Sequence, residues 1–492
     1  MRKLLIAAAV ASAILAPMSA SAAKDSVNIA MRLEPPGLDP RTGAAAAISL
    51  ITLYNIYEGL TRIGEDGSVI PSLAESWTIS DDGKTYTFKL VEGAKFHDGS
   101  DFDSSDVKYT FEGNAAKDSK NKQKKRFTNM ESIDTPDSNT VVITLKEPRP
   151  ALLEQLGEAT AVIVDPSSAA KNATNPVGTG PYKFDSWTKG ASVKLSAADT
   201  YREMDTVKIK KATFRFISDG TARFAALLSG DVDVSNVPNE LLSSDKLEEG
   251  FAVVVGNTNG ETILSTNNAN PALSKLKVRQ AIAHAINRQE IIDGAMFGYG
   301  TPIGSHFAPH HPDYVDHTMT YPYDPAKSKA LLAEAGYPDG LELSLKLPPV
   351  DDYARKGGQI VASQLEKAGF KIKIENVDWP KWLDEVYKKK NYDLSIVSHV
   401  EPMDIGIYAR DDYYFNYKNK KFNDIVAHAE SAGSPAERTK YLHQAQKILA
   451  EDAVNGYLFQ FPWVLVVRDG LNGVWKDMPL FAFDVSRMSW DN

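Results

Sequence analysis

The sequence predicts a mixed α/β protein, and three observations carry that expectation. Runs rich in β-branched and aromatic residues alternate with amphipathic runs of helical period along the chain. Hydrophobic residues make up 43% of the 492, enough for a chain of this length to bury a large core under ordinary surface-to-volume scaling. No internal repeat or low-complexity tract breaks the pattern, which sets solenoids and fibrous folds aside. The length points to two or more domains.

The first segment reads as a secretion signal. Arg2 and Lys3 form a charged start, Leu4 to Leu15 an apolar core, and Ala20-Ser21-Ala22 a cleavage site, so the mature chain is expected to begin near Ala23. At about 12 residues the apolar run is shorter than the roughly 20 that a membrane-spanning helix requires. Val27 to Met31 then reads as the first strand. Asp81-Asp82-Gly83-Lys84 is a turn between strands around Trp77 and Tyr86, both read as core aromatics, and Tyr86 to Val91 and Thr140 to Lys146 show two-residue alternation. The basic run from Lys117 to Arg126, with Lys120, Lys122, Lys124 and Lys125, is expected to be a solvated loop, because clustered like charges sit in water. Gly178-Thr179-Gly180 lacks the Lys-Ser/Thr of a phosphate cradle and reads as a turn.

Further along, Leu276 to Ile292 reads as one helix, with Leu276, Ala281, Ile282, Ala285 and Ile286 recurring on one face. His306, His310, His311 and His317 form the densest histidine group. Neutral imidazole ligates transition metals well, but Pro309 and Pro312 make this segment a loop, which is expected to be solvated rather than a metal site. The clearest helix runs from Asp324 to Gly336: Asp324 can cap its free N–H groups, Pro325 suits its first turn, and Gly336 suits the left-handed position at its end.

The formal charge is −9, and loss of Arg2 and Lys3 with the signal makes it −11, which argues against nucleic acid as a partner. Cysteine is absent. A lipid-anchored surface protein carries one at its cleavage site, so the mature chain is expected to diffuse freely in a Gram-negative periplasm, held by its core rather than by disulfides. No HExxH, GxSxG or paired catalytic constellation is present and thiol chemistry is excluded, so neither an enzyme nor a cofactor is expected.

Several segments share an order and spacing. They are Leu38-Asp39-Pro40, Ile56-Tyr57-Glu58-Gly59-Leu60, Pro71-Ser72-Leu73-Ala74-Glu75-Ser76-Trp77, Phe96-His97-Asp98-Gly99 and Gly178-Thr179-Gly180-Pro181-Tyr182. Leu227 to Asp233, Val278-Arg279-Gln280-Ala281 and Leu331 to Tyr337 continue the series. Together they resemble the extracellular solute-binding proteins of family 5, the dipeptide-, oligopeptide- and nickel-binding group. The resemblance implies a two-lobe periplasmic binding protein fold (type II-like, cluster C). The first lobe would comprise residues 23–61, 175–261 and 461–492, with a subdomain inserted at 62–174, and the second lobe residues 262–460. Ser265 to Asn268 and Phe459 to Pro462 sit where that family's two interlobe crossings fall, and ligand would be enclosed by hinge closure.

The resemblance also implies contacts. In peptide-binding relatives, the strand matching Tyr392 to Val397 ends in a tryptophan followed three positions later by an aspartate that pairs with the peptide ammonium. Here these positions read Ser398 and Glu401, with His399 between them, and the family's later acidic-Pro pair reads Asp404-Ile405. A desolvated ammonium needs a charged, hydrogen-bonded partner, so Glu401 or Asp404 is the expected one; the competing reading is an exposed acid at a strand end. Ser395 replaces an arginine of oligopeptide binders, while Arg410 could take a ligand carboxylate bidentately. Asn267, next to Thr266, matches an asparagine that meets the ligand backbone, or else caps hinge hydrogen bonds. Tyr408, Tyr413, Tyr414, Phe415, Phe459, Phe461 and Trp463 divide between pocket wall and core in a way the sequence does not decide. The implied function is capture of a peptide or peptide-like solute for an inner-membrane ABC permease, by a monomer that is not membrane-embedded. A non-peptide ligand (opine, oligosaccharide, metal chelate or haem) and service to a chemoreceptor are the alternatives.

Overall fold

The computed structural model describes residues 24–43, 45–400 and 404–491, so the expected signal segment and Glu401 lie outside the described residues. Among the described residues, eleven strands form one large mixed sheet. In chain order they are β1 (Ser26–Met31), β2 (Tyr182–Thr188), β3 (Ser192–Ala197), β4 (Lys211–Phe216), β5 (Val234–Ser235), β6 (Phe251–Thr266), β7 (Thr301–Pro302), β8 (Leu341–Leu347), β9 (Phe370–Asn376), β10 (Leu394–His399) and β11 (Gly456–Arg468). They lie side by side in the order β9-β8-β10-β6-β11-β5-β1-β4-β3-β2, with β7 pairing to β11. A separate four-stranded antiparallel sheet is built from Ala74–Ile79, Thr85–Leu90, Thr140–Leu145 and Met130–Asp137.

Periodicity explains most of these elements. Val27, Ile29 and Met31 of β1 enter a core with Tyr54, Tyr182 and Phe214. The alternation of Thr85–Leu90 and Thr140–Leu145 buries Tyr86, Phe88, Leu90, Val141, Ile143 and Leu145 in the small sheet's own core. On the far half of the large sheet, Leu343, Leu345, Leu394 and Ile396 share one core. Val397, Tyr408, Tyr414 and Phe415 share another. Strands β8 and β9 run parallel and are joined by a crossover through the helix Gly357–Lys367, as parallel pairing requires.

The helix expected at Asp324 is present as Pro325–Glu334: the Asp324 side chain accepts from the Lys327 N–H at 2.8 Å, and Gly336 takes φ +96°. Two expectations are corrected. Leu276 to Ile292 is two helices, Leu276–Ala285 and Arg288–Met296, because the chain turns extended at Ile286 and the Asn287 side chain caps the second helix through the Glu290 N–H; Leu276 is exposed rather than part of the apolar face. The basic run is not wholly solvated either. Arg126 is buried in the short helix Lys124–Thr128, where it meets Glu158 at 2.6 Å. Gly178 and Gly180 make a turn packed on the chain at Asn55 and Ile56, where an added Cβ would lie 2.1 and 2.4 Å from carbonyl oxygens.

Strands β6 and β11, of 16 and 13 residues, run through both halves of the sheet. They pair regularly from Phe251↔Arg468 to Asn257↔Pro462, lose register, and resume at Glu261↔Gln460. Before the break β11 is flanked by β5, and after it β6 is flanked by β10. Side chains knit the break: Thr258 Oγ1 donates to the Phe461 carbonyl at 2.6 Å and accepts from the Gly260 N–H, while Gln460 Nε2 donates to the Thr258 carbonyl at 2.7 Å. A Cβ at Gly260 would lie 2.9 Å from that of Phe461, so the close approach requires glycine. The irregularity thus falls at 258–260 opposite Phe461. Ser265 to Asn268 lies beyond it, at the far end of β6.

Candidate ligand-binding site

Strand β10 ends at the break, since His399 pairs with Glu261 and Ser398 with Thr262. Neighbouring residues of a strand point to opposite faces, so the sheet presents two different surfaces here.

On one face, the Thr262 and Ser398 hydroxyls are buried and meet no partner among the described residues, which calls for a functional or solvent explanation because buried polar groups are normally paired. Beside them stand Gly260, whose Cβ position is 3.4 Å from Ser398 Oγ, and Phe461, whose ring meets that of Tyr353 edge-on at 5.8 Å. Burial pushes the Tyr353 phenol up to about 12, against the opposing pull of a hydrogen bond at the Ser398 backbone and the charge of Arg32; it is a neutral hydroxyl at physiological pH.

On the other face is an imidazole–carboxylate cluster. The turn Asp404–Ala409 delivers Asp404, and the loop after β7 delivers His306. Asp404 Oδ1 meets His306 Nε2 at 2.6 Å, and its Oδ2 lies 3.5 Å from His399 Nδ1. The outer nitrogens are also held: His306 Nδ1 lies 3.2 Å from the Tyr408 hydroxyl and His399 Nε2 lies 3.1 Å from that of Tyr414. Glu261 Oε2 is 3.8 Å from His306 Nε2. Burial alone would push the Asp404 carboxyl up, but the charges and hydrogen bonds of His306 and His399 together outweigh it and hold it well below the usual carboxylate range. A cavity of about 10 Å³, room for roughly one water molecule, opens beside the cluster between Asn259, Phe307, Ala308, His311 and Ile405. Burial pushes the His311 imidazole down to about 4, so it is neutral there.

The chain therefore brings Ser398, His399, Asp404 and Tyr408 together at one end of β10, with Phe461 at the adjoining break. It does not bring Asn267 and Thr266 there: Thr266 pairs with Leu394, five residues along β10 from His399, or roughly 16 Å at strand spacing. The Asn267 side chain is used within the protein, donating to the Lys390 and Tyr392 carbonyls and accepting from Asn416 and the Ala269 N–H. A concavity of about 660 Å³ contains Asn267, yet it is an open polar depression ringed by Lys346, Glu375, Lys381 and Glu385 at that far end. It lacks the apolar walls of a small-molecule pocket, and the break is the better site. Arg410 is largely exposed and paired with Asp412 at 3.2 Å. Tyr408 and Phe459 are 1% and 0% exposed and belong to the cores. Ser395, 0% exposed, accepts from Trp382 Nε1 and donates to the Lys346 carbonyl.

The histidine segment overturns its expectation of solvation. His306 is 1% exposed, His310 meets Gln460 Nε2 at 2.7 Å, and His311 packs edge-on against Phe307. Thr262, Tyr353, Glu261 and His306 were missed as site residues; Pro309 and Pro312 do set a loop, but that loop folds inward onto β10.

Residues 68–425 match the family model of the bacterial extracellular solute-binding proteins, family 5. The glutathione-binding protein GsiB of Salmonella paratyphi A is 30% identical over 490 residues, covering 95% of this chain and 93% of that protein. Among solved structures, the binding protein AgaA of A. tumefaciens R10 in complex with agropinic acid is 29% identical with a TM-score of 0.80, covering 95% of this chain and 99% of the other. NikZ of Campylobacter jejuni with Ni(L-His) is 25% identical with a TM-score of 0.81, over 95% of this chain and 99% of the other. Segment order, the two long strands through a single sheet and these matches agree: the chain belongs to the bacterial extracellular solute-binding proteins of family 5.

Proposed function

We propose that this protein is the periplasmic component of an ABC importer and captures a peptide-like solute at the break in β6 and β11, passing it to an inner-membrane permease. The observation that carries this reading is the cross-strand pair of buried hydroxyls, Thr262 and Ser398, without a partner among the described residues and flanked by Tyr353 and Phe461. Such a surface offers hydrogen bonds to an amide backbone and apolar walls to side chains. The relatives support peptide chemistry, since GsiB binds glutathione and a periplasmic relative from Helicobacter pylori is seen with the peptide STSA. An opine is the second reading, favoured by the 29% identity to AgaA. The family consists of solute-binding proteins rather than enzymes. Among the described residues no helix is long and apolar enough to cross a membrane.

In this reading residues 23–61, 175–261 and 461–492 form one lobe, with 62–174 inserted, and 262–460 form the other. Closure bends the two strands at 258–260 and 461–462, because contacts from both lobes are complete only in the closed form. Small-angle scattering tests this: the radius of gyration is expected to fall when a saturating ligand is added, and an unchanged profile with a ligand shown by calorimetry to bind would refute closure.

A further inference from the structure

We propose that His306, His399 and Asp404 form a binding site for one divalent transition-metal ion, on the opposite face of β6 and β10 from the solute site. The inference reverses the sequence-based expectation that the histidine loop is solvated. It goes beyond the proposed function and holds whatever solute the protein carries.

One donor atom from each of the three residues lies within 4.8 Å of the others. A metal with ligands at roughly 2.0–2.2 Å needs its donors only a little over 3 Å apart, so the 3.5 Å contact of Asp404 with His399 already fits. The 2.6 Å contact with His306 would open by less than about 1 Å.

Orientation supports the same reading. The Tyr408 hydroxyl stands at His306 Nδ1 and accepts from Asn455 Nδ2 at 2.9 Å, and the Tyr414 hydroxyl stands at His399 Nε2 and meets Ser265 Oγ at 3.0 Å. Both phenol oxygens are buried and within hydrogen-bond reach of these nitrogens, so they can take the outward N–H of each imidazole. Nε2 of His306 and Nδ1 of His399, the latter also 3.4 Å from the Tyr413 hydroxyl, face Asp404 and hydrogen-bond to it. A bound ion would displace the protons between them, with the outward N–H groups held by the phenols as in outer-shell metal sites. Glu261, 3.8 Å from His306 Nε2, adds negative charge, and the adjoining cavity leaves room for a further small ligand. Two nitrogens with carboxylate oxygen and no sulfur suit zinc, nickel, copper or iron rather than calcium or magnesium.

The test uses the tag-free mature protein after dialysis against a chelator. Titration with Co2+ is followed by visible absorption, and Zn2+ affinity is measured by competition with a chromophoric chelator at pH 7.5. One equivalent is expected at micromolar affinity or tighter, unaffected by excess Ca2+ or Mg2+. H306Q and H399Q should each weaken binding about ten-fold or more, whereas H310A should leave it unchanged. Because the glutamine variants disturb a packed cluster, Y408F serves as the second probe: it keeps the ring, removes the phenol oxygen and should weaken binding about 10- to 100-fold. Absence of stoichiometric binding by the wild type, or binding that is the same in H306Q, H399Q and Y408F, would overturn the proposal and leave the cluster as an ion-paired part of the core.

Discussion

Asp404→Asn is expected to lower the unfolding free energy by about 3 kcal/mol, near the lower end of what removing one partner of a buried ion pair costs. Asp404 faces two imidazoles on a turn closed over the second core, and His306 has almost no contact with solvent. Asparagine keeps the shape but removes the charge that both rings meet. The pH dependence follows from the direction of the shift. A carboxyl held below its ordinary value contributes fully above the usual aspartate range near pH 4 and loses that contribution only as pH falls further. Wild type and variant should therefore differ in denaturant midpoint at pH 7 and converge in strong acid; equal midpoints at pH 7 would show that the cluster carries no such energy.

The second large effect is on affinity. Both oxygens of Asp404 meet histidines, so of the two acids that the resemblance offered as amine partners we propose Glu401, three residues earlier in the chain. If it pairs with a desolvated ligand ammonium, Glu401→Gln should weaken binding by roughly 2 to 5 kcal/mol, or about 30-fold to several thousand-fold. Isothermal titration should give Asp404→Asn nearly wild-type affinity. The reverse pattern would move the role to Asp404, and no loss in either would mean that no ligand amine is held there.

Local rules made much of the fold legible. Alternation located Thr85–Leu90 and Thr140–Leu145, and the cap, proline and glycine around Pro325–Glu334 located that helix. They failed where a single residue overrides periodicity, as Asn287 does between two helices whose combined pattern reads as one. The site was legible only in part. Ser398, His399 and Asp404 lie close together in sequence, but the histidine that completes the cluster is 98 residues from Asp404, and no local pattern reports a contact of that span. For Asn267 the sequence left two readings open: register places it far from His399, and its bonds to the Lys390 and Tyr392 carbonyls match the reading in which it caps backbone hydrogen bonds.

Whether the protein carries a peptide-like solute is decided by native mass spectrometry of the protein released gently from its host's periplasm. A 1:1 complex is expected whose dissociated small molecule fragments as a peptide or a close conjugate, and which an excess of that same compound re-forms after unfolding and refolding. A co-purified molecule lacking any amide or amine, such as an oligosaccharide, would contradict it.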